Sequence, residues 1–521
     1  MDKLIDYISK NKYYIAVAAL FVLGIAVRAV ALGSVPGGAN QDEARAAYEA
    51  WSLGTYGIDT HGYHFPVYFV SWGSGMNVLY SYALIPFIKL FGLTAFAMRI
   101  PQFLGGVATL LFIFLTLRRT AGRRAALIGL AVVATAPWHV MMSRWGLESN
   151  FAVVFLTGGV YFFVRALERP PFLMLSALFF GFALYCYSIV WLFLPLFLLI
   201  TAVWCAFARV RLPLRAVLPS VAILMILAAP LVLFVLVNMG VTDEITTPFF
   251  SVPRLSAMRT GEFISSVSDL AASAKNLGMI LLKQDDGLLW NSIPAFGLYY
   301  LFALPLFIAG AVSGAAQFGR ALGKKEFSIF GLFFIWLIAA VVTALVLTDA
   351  NINRINVLHI PVLFFIARGA YICVTRWHRA APAVLAVLYS LFFAAFSGYY
   401  FTRYARDISV VFRSDYQELC TSIGRRAGSV SRVICDDTVE PMLLLFYTRY
   451  PTPDFVSTVV YSNAPNPWLH ISSFGRYTFA ADFGSLDKTA VYVIESGDIQ
   501  TFISAGFSVD RCGTMAVAYI E

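Results

Sequence analysis

A chain of 521 residues that is 60% apolar, 16% aromatic and only 13% charged, with a mean hydropathy of +0.75, is too apolar for a soluble globular fold. It carries many runs long enough to cross about 30 Å of hydrocarbon. The net charge of +9 sits largely in short connections between those runs, so it reads as a topogenic signal and not as a nucleic-acid surface.

The first run, from Tyr13 to Leu32, follows Lys3, Lys10 and Lys12. At about 20 residues, without a small-residue cleavage site, it is expected to be a retained span and not a signal peptide. A polar-aromatic stretch follows from Gly33 to about Ser74, and then apolar runs near 102–117, 125–142, 150–165, 172–187, 189–207, 216–237, 294–316, 327–347, 356–374 and 381–400. This predicts about eleven spans. One set of connections is basic: Arg118, Arg119, Arg123 and Arg124; Arg165 and Arg169; Arg209, Arg211 and Arg215; Arg320, Lys324 and Lys325; Arg376 and Arg379. It alternates with a set comprising 33–100, the SRWGLESN turn at 143–150, a turn near Ser188, 238–293 and TDANINRIN at 348–356. The positive-inside rule puts the basic set and the N-terminus in the cytoplasm and the tail beyond Phe401 outside. The apolar stretch 76–93 would break the alternation if it spanned, so it is expected to lie at the interface or re-enter from it.

The tail changes character. RYARDISVVFRSDYQELCTSIGRRA reads as an amphipathic helix, and RVIC, AVYVIE and MAVAYIE as short buried strands. The expected architecture is an all-α polytopic membrane domain over 1–400, with outer loops at 33–100 and 238–293, and a small extracytoplasmic α/β domain over 401–521. The six cysteines form no CxxC or Cys/His cluster; Cys186, Cys205 and Cys373 act as small hydrophobes, and a disulfide among Cys420, Cys435 and Cys512 is left open.

The topology gives the acids a common address, because Asp42 and Glu43, Glu148, Asp285 and Asp286, and Asp349 with Arg354 all fall on the outer side near span ends. Ionisable groups at membrane depth are costly and mark functional cavities, although outer loops are also where acids collect by default. Each residue has a local alternative. Asn40 and Glu43 fit a capping box, which leaves Asp42 over for chemistry. Arg144 and Glu148 are spaced to pair across a turn, with Ser149 or Asn150 capping the next span. Arg354 suits either snorkelling at an interface or holding phosphate oxygens with its fork of donors. His61 and His64 have metal-ligand spacing, but Gly62 and Pro66 argue against a helix there. His139 and His359 read as core histidines with a local hydrogen bond.

Three stretches, DEARAAYEAWSLGTYGIDTHGYHFPVYF, LYSYALIPFIKLFGLTAFAMRIPQFLGG and SRWGLESN, resemble signatures of the GT-C membrane glycosyltransferases, and in particular the protein mannosyltransferase and aminoarabinose transferase group. The likeness covers about the first 170 residues, and NINRINVLHIPVLFFIARG resembles a late-span signature of the same group. The resemblance implies a GT-C fold and transfer of a sugar from a polyprenyl phosphate to a protein, lipid or polysaccharide acceptor outside the plasma membrane. It makes Asp42, with Glu43 as its neighbour, the catalytic base and Glu148 a second acidic position; Glu43, Arg144 and His64 are candidate substrate-binding residues. The later first loop, VYFVSWGSGMN, lacks the basic residue that relatives use to hold the lipid phosphate; this shifts the clamp to Arg354 or to Arg254, Arg259 or Lys283. A divalent ion is admissible but not required. The rival reading is a transporter or lipid-carrier flippase, against which stand the lack of an internal repeat and the crowding of charges on one face.

Overall fold

The computed structural model describes residues 2–258, 260–428 and 432–521, with backbone alone for 2–10 and Thr260. Its helices are, in order, α1 Asp2–Ala29, α2 Gln41–Tyr56, α3 Leu79–Phe91, α4 Ala95–Thr120, α5 Gly122–Thr135, α6 Pro137–Met142, α7 Glu148–Ala166, α8 Phe172–Ala183, α9 Val190–Phe207, α10 Leu214–Asn238, α11 Val267–Lys283, α12 Leu304–Lys324, α13 Ile329–Leu345, α14 Asn356–Arg376 and α15 Ala381–Tyr399. The tail adds α16 Ala405–Val411, α17 Tyr416–Ala427, α18 Pro441–Thr448, α19 Thr452–Thr458 and α20 Ile499–Ser504.

All eleven expected apolar runs contain helix, and among the described residues eight helices are long and apolar enough to cross a membrane. The other three are shorter for visible reasons. Pro137 splits the 125–142 run into α5 and α6, α8 stops at Ala183, and α13 has 17 residues. The 76–93 stretch yields only the 13-residue α3, with Pro86 inside it.

The chain forms two compact units: residues 1–31, 101–229 and 260–404, and residues 32–100, 230–259 and 405–521. In the first, α14 is the core span, with nearly every residue from Asn356 to Ala370 buried; it packs on α5, α7, α12 and α13. Its approach to α12 depends on two glycines. A Cβ on Gly310 would run into the carbonyl of Phe365, and one on Gly369 into that of Leu306, the close backbone approach that small residues permit between membrane helices.

The second unit joins residues 32–100 and 230–259 to the tail. It contains an antiparallel pair, β1 Ile245–Thr246 and β2 Ser251–Val252, and the tail carries a seven-stranded sheet of order β4-β5-β6-β3-β7-β9-β8, where β3 is Val433–Asp436, β4 Val460–Tyr461, β5 Ile471–Phe474, β6 Tyr477–Ala480, β7 Val491–Glu495, β8 Ser508–Cys512 and β9 Met515–Tyr519. The three strands read from the sequence are its centre: β3 pairs in parallel with β7, which pairs antiparallel with β9. The edge strands escaped sequence reading because their burial patterns are mixed. The amphipathic helix expected from Arg403 is broken in two, with Arg413 at φ +50° between α16 and α17. Cys420, Cys435 and Cys512 are buried free thiols, as are Cys186 and Cys373 in the helical region.

Candidate active site

Helix α2 is built to present its first turn. Asn40 accepts from the Asp42 amide at 3.0 Å, and the Glu43 carboxylate accepts from the Asn40 amide at 3.3 Å, so the expected capping box is present. Glu43 does more than cap. Arg99, at the start of α4, donates to both of its carboxylate oxygens, Nη2 to Oε1 at 2.6 Å and Nε to Oε2 at 3.3 Å. Neither side chain has solvent exposure. The remaining Arg99 donors are taken by the carbonyls of Leu32, Pro36 and Gly38 at 3.2, 2.6 and 3.0 Å. A fully hydrogen-bonded guanidinium of this kind meets the condition for burying a charge pair. Asp42, one residue earlier, is exposed.

The tail holds α2 in place. Tyr48 Oη donates to the Tyr450 carbonyl at 2.5 Å, the Ala39 amide to the Phe412 carbonyl at 2.7 Å, and the Leu469 amide to the Trp72 carbonyl at 2.6 Å. Gly38 has φ +75°, and a Cβ there would collide with the Phe412 carbonyl and sit 2.6 Å from the Ser414 nitrogen.

Behind Asp42 on α2 lies a buried ionic cluster. Arg45 stacks on Trp72 at 4.3 Å and approaches Glu49 at 3.5 Å, while Glu49 accepts from the Thr60 amide and hydroxyl at 3.0 and 2.5 Å. Asp59 Oδ1 accepts from the His61 and Tyr63 amides at 2.9 and 2.8 Å, and its Oδ2 is buried with no hydrogen-bond partner. Burial raises the pKa of Glu49; burial and the Glu49 charge together push that of Asp59 well above the usual carboxylate range. Burial, with the Arg45 charge second, lowers His61 to about 3. His61 stacks on Tyr461, and His64 Nδ1 meets the Gly57 carbonyl at 3.1 Å. Among the described residues no group of three or more His, Cys, Asp or Glu is arranged to hold a metal ion.

In the other unit, two motif segments far apart in sequence meet through Asn356. Its Nδ2 donates to Asn150 Oδ1 at 2.8 Å and Ser149 Oγ at 3.4 Å, and its Oδ1 accepts from Trp138 at 3.1 Å. This fixes the SRWGLESN turn against NINRINVLHIP. Glu148 is the first residue of α7, half-buried where the helix dipole favours a carboxylate. The expected Ser149 or Asn150 cap is not formed: Leu147 is the N-cap, without a side-chain bond, and Asn150 donates to the Trp145 carbonyl at 3.1 Å. Arg144 is fully buried and closes the end of α1, donating to the carbonyls of Val27, Arg28 and Ala31 at 3.0, 2.8 and 3.2 Å.

Arg354 lies between two acids, Glu262 at 3.4 Å and Asp349 at 3.6 Å. Asp286 is tied into the same loop by the Ile352 amide at 2.9 Å and Asn291 at 2.7 Å, and burial raises its pKa. Asp285 accepts from Ser292 at 2.5 Å. Lys283 ends α11, exposed, with no ion-pair or hydrogen-bond partner among the described residues. In the second unit Arg254 reaches the Thr242 carbonyl at 3.3 Å and is exposed; Arg259 lies outside the described residues. His139 and His359 are core residues; His139 bonds to Arg28, far away in the chain, at 2.6 Å, and His359 to distant Tyr299 and to the local Ile352 carbonyl.

ArnT from Cupriavidus metallidurans superposes in its apo state with a TM-score of 0.57 at 14% identity, over 98% of this chain and 98% of that one. A second structure of that protein, bound to undecaprenyl phosphate, gives 0.56 at 14% identity over 97% of each chain. The chain has the GT-C fold. The model of the dolichyl-phosphate-mannose-protein mannosyltransferase family matches residues 75–238, so the resemblance read from the motifs extends through the helices α3 to α10. A likeness to the Archaeoglobus fulgidus oligosaccharyltransferase, TM-score 0.48 at 10% identity over 86% of this chain and 64% of that one, is too slight to argue from. No curated protein sequence matches the chain.

Sequence reading missed Arg99, Arg28 and the Arg45 cluster. Their signal was available: an arginine at the start or within an apolar helix must find partners, and Arg45 with Glu49 has the i,i+4 spacing of a helical ion pair. The partners are backbone carbonyls and side chains distant in the chain, which spacing does not reveal.

Proposed function

We propose that this GT-C chain is an inverting glycosyltransferase, moving one monosaccharide from a polyprenyl phosphate of the undecaprenyl phosphate type to an acceptor at the outer face of the plasma membrane. The observation that carries this reading is the contrast at the start of α2: Glu43 is buried against Arg99, whereas its neighbour Asp42 is exposed in a helical first turn. The fold shared with a protein crystallised with undecaprenyl phosphate supports the donor class.

In this reading Asp42 takes the proton of the acceptor hydroxyl or amine as that group attacks the anomeric carbon. The bond from that carbon to the phosphate oxygen breaks, its electron pair leaves with the polyprenyl phosphate, and attack opposite the leaving group inverts the centre. Phosphate departs without a general acid, so one carboxylate suffices for proton transfer. Arg354 stabilises the charge that develops on phosphate, and Glu148 orients sugar or acceptor hydroxyls. Glu43 and Arg144 serve as anchors of the surrounding backbone.

The test is transfer from a labelled polyprenyl-phosphate sugar in membranes bearing the wild-type or Asp42→Asn chain. Loss of transfer with normal expression supports the assignment. Near-normal turnover by the variant overturns it, and relocation of unaltered donor across the bilayer would make the protein a flippase.

A further inference from the structure

Helices α7, α8, α9 and α10 line a partly open cavity of about 520 Å³, within the roughly 300–1,000 Å³ span of ligand pockets. Its walls are almost wholly apolar, with Phe163, Phe180 and Leu224 among them. Three hydroxyls line it. Ser176 donates to the Gly159 carbonyl at 2.8 Å and Ser220 to the Ala216 carbonyl at 2.7 Å. Thr201 differs: it is 5% exposed, and its Oγ1 is buried with no hydrogen-bond partner. A buried hydroxyl without a partner is disfavoured, and a ligand acceptor in the cavity would remove that penalty.

One end of the cavity adjoins a basic connection in the chain. Val210 and Leu212 belong to its lining, and the residues beside them in the chain are Arg209, Arg211 and, two positions before Val217, Arg215. All three are exposed, and none has an ion-pair partner among the described residues. The nearby acid Glu168 is paired with Arg119. The arginines on these connections explain orientation in the membrane, but not why an apolar cavity with an unsatisfied hydroxyl ends against them.

We propose that this cavity holds an acyl chain of an anionic glycerophospholipid, with Arg209, Arg211 and Arg215 receiving the phosphate and Thr201 donating to an ester carbonyl. The amphiphile explains each part of the site. Its chain fills an apolar volume, its ester meets the buried Thr201 hydroxyl, and its charge meets arginines without an ion-pair partner among the described residues, as basic pockets between membrane helices do for anionic headgroups. A polyprenyl phosphate shares the tail and the charge but offers no ester.

The test uses the full chain in detergent micelles, with bound lipid read by native mass spectrometry against phosphatidylglycerol, phosphatidylcholine, an ether-linked phosphatidylglycerol and a long-chain polyprenyl phosphate. Phosphatidylglycerol is expected to be retained over phosphatidylcholine by roughly tenfold, a preference that the combined substitution Arg209→Gln, Arg211→Gln and Arg215→Gln removes. Thr201→Val should weaken the ester lipid several-fold and leave the ether analogue unchanged, a comparison that does not depend on the fold tolerating larger changes. Ala177→Phe, which fills the cavity, should abolish retention. Equal retention of phosphatidylglycerol and phosphatidylcholine, unchanged retention in Ala177→Phe, or displacement of phosphatidylglycerol by polyprenyl phosphate would each overturn the proposal; the last would assign the cavity to an isoprenoid tail.

Discussion

Arg99 grips both carboxylate oxygens of Glu43, at 2.6 and 3.3 Å, with neither side chain exposed to solvent. The pair separates two adjacent acids by what their loss should do. Arg99→Ala leaves a buried carboxylate without its counter-charge, a change that typically costs about 3–5 kcal/mol. We expect a lowered melting temperature and poor recovery from membranes for Arg99→Ala and Glu43→Ala, measured by thermal unfolding in detergent. Asp42→Asn should melt like the wild type and lose transfer.

Gly38 adopts a positive φ against the backbone of Phe412 and Ser414. Gly38→Ala would push apart the tail and the segment leading to the Asn40 cap, since neither contact is a flexible side chain. Transfer activity should fall severalfold or more although no reacting group is touched, and protease sensitivity of the tail should rise. Unchanged activity and digestion would show that this contact does not position α2.

The buried Asp59 carboxylate has a raised pKa, so the folded chain binds a proton more tightly than the unfolded one. Its contribution to stability is therefore fully present below the ordinary aspartate value near 3.8 and declines as pH rises toward the raised value. Asp59→Asn keeps an acceptor for the His61 and Tyr63 amides and removes the charge. The variant should melt higher than wild type at pH 8 and match it near pH 4; the reverse ordering would mean that Arg45 stabilises the ionised form by more than burial disfavours it.

Arg354 is held between Glu262 and Asp349. If it receives the donor phosphate, Glu262 competes with that phosphate. Glu262→Gln should then tighten binding of a polyprenyl phosphate severalfold, and Arg354→Gln should weaken it by roughly tenfold, about 1.4 kcal/mol. Titration with a fluorescent polyprenyl phosphate measures both. Insensitivity to both changes would move the role to Lys283.

Much of this molecule was written in local sequence. Apolar runs of about 20 residues determined the helical membrane architecture, because each must satisfy its backbone internally and cross the same thickness of hydrocarbon. Short apolar runs bounded by turn residues gave β3, β7 and β9, the buried centre of the tail sheet, and Asn40 with Glu43 gave the cap of α2. What local sequence could not supply was partnership. Arg99 finds Glu43 and three carbonyls, Asn356 joins the turn at Asn150, and the tail clamps α2 through Tyr450 and Phe412. Residues 56 to more than 400 positions apart make these contacts, and no periodicity records them. The sequence by itself determined that Asp42 and Glu43 stand together at the head of a helix; the tertiary structure decided that Glu43 is buried with Arg99 and that Asp42 is exposed. The reason is physical: a buried carboxylate must be matched by a counter-charge and donors, and only the folded chain brings them to Glu43.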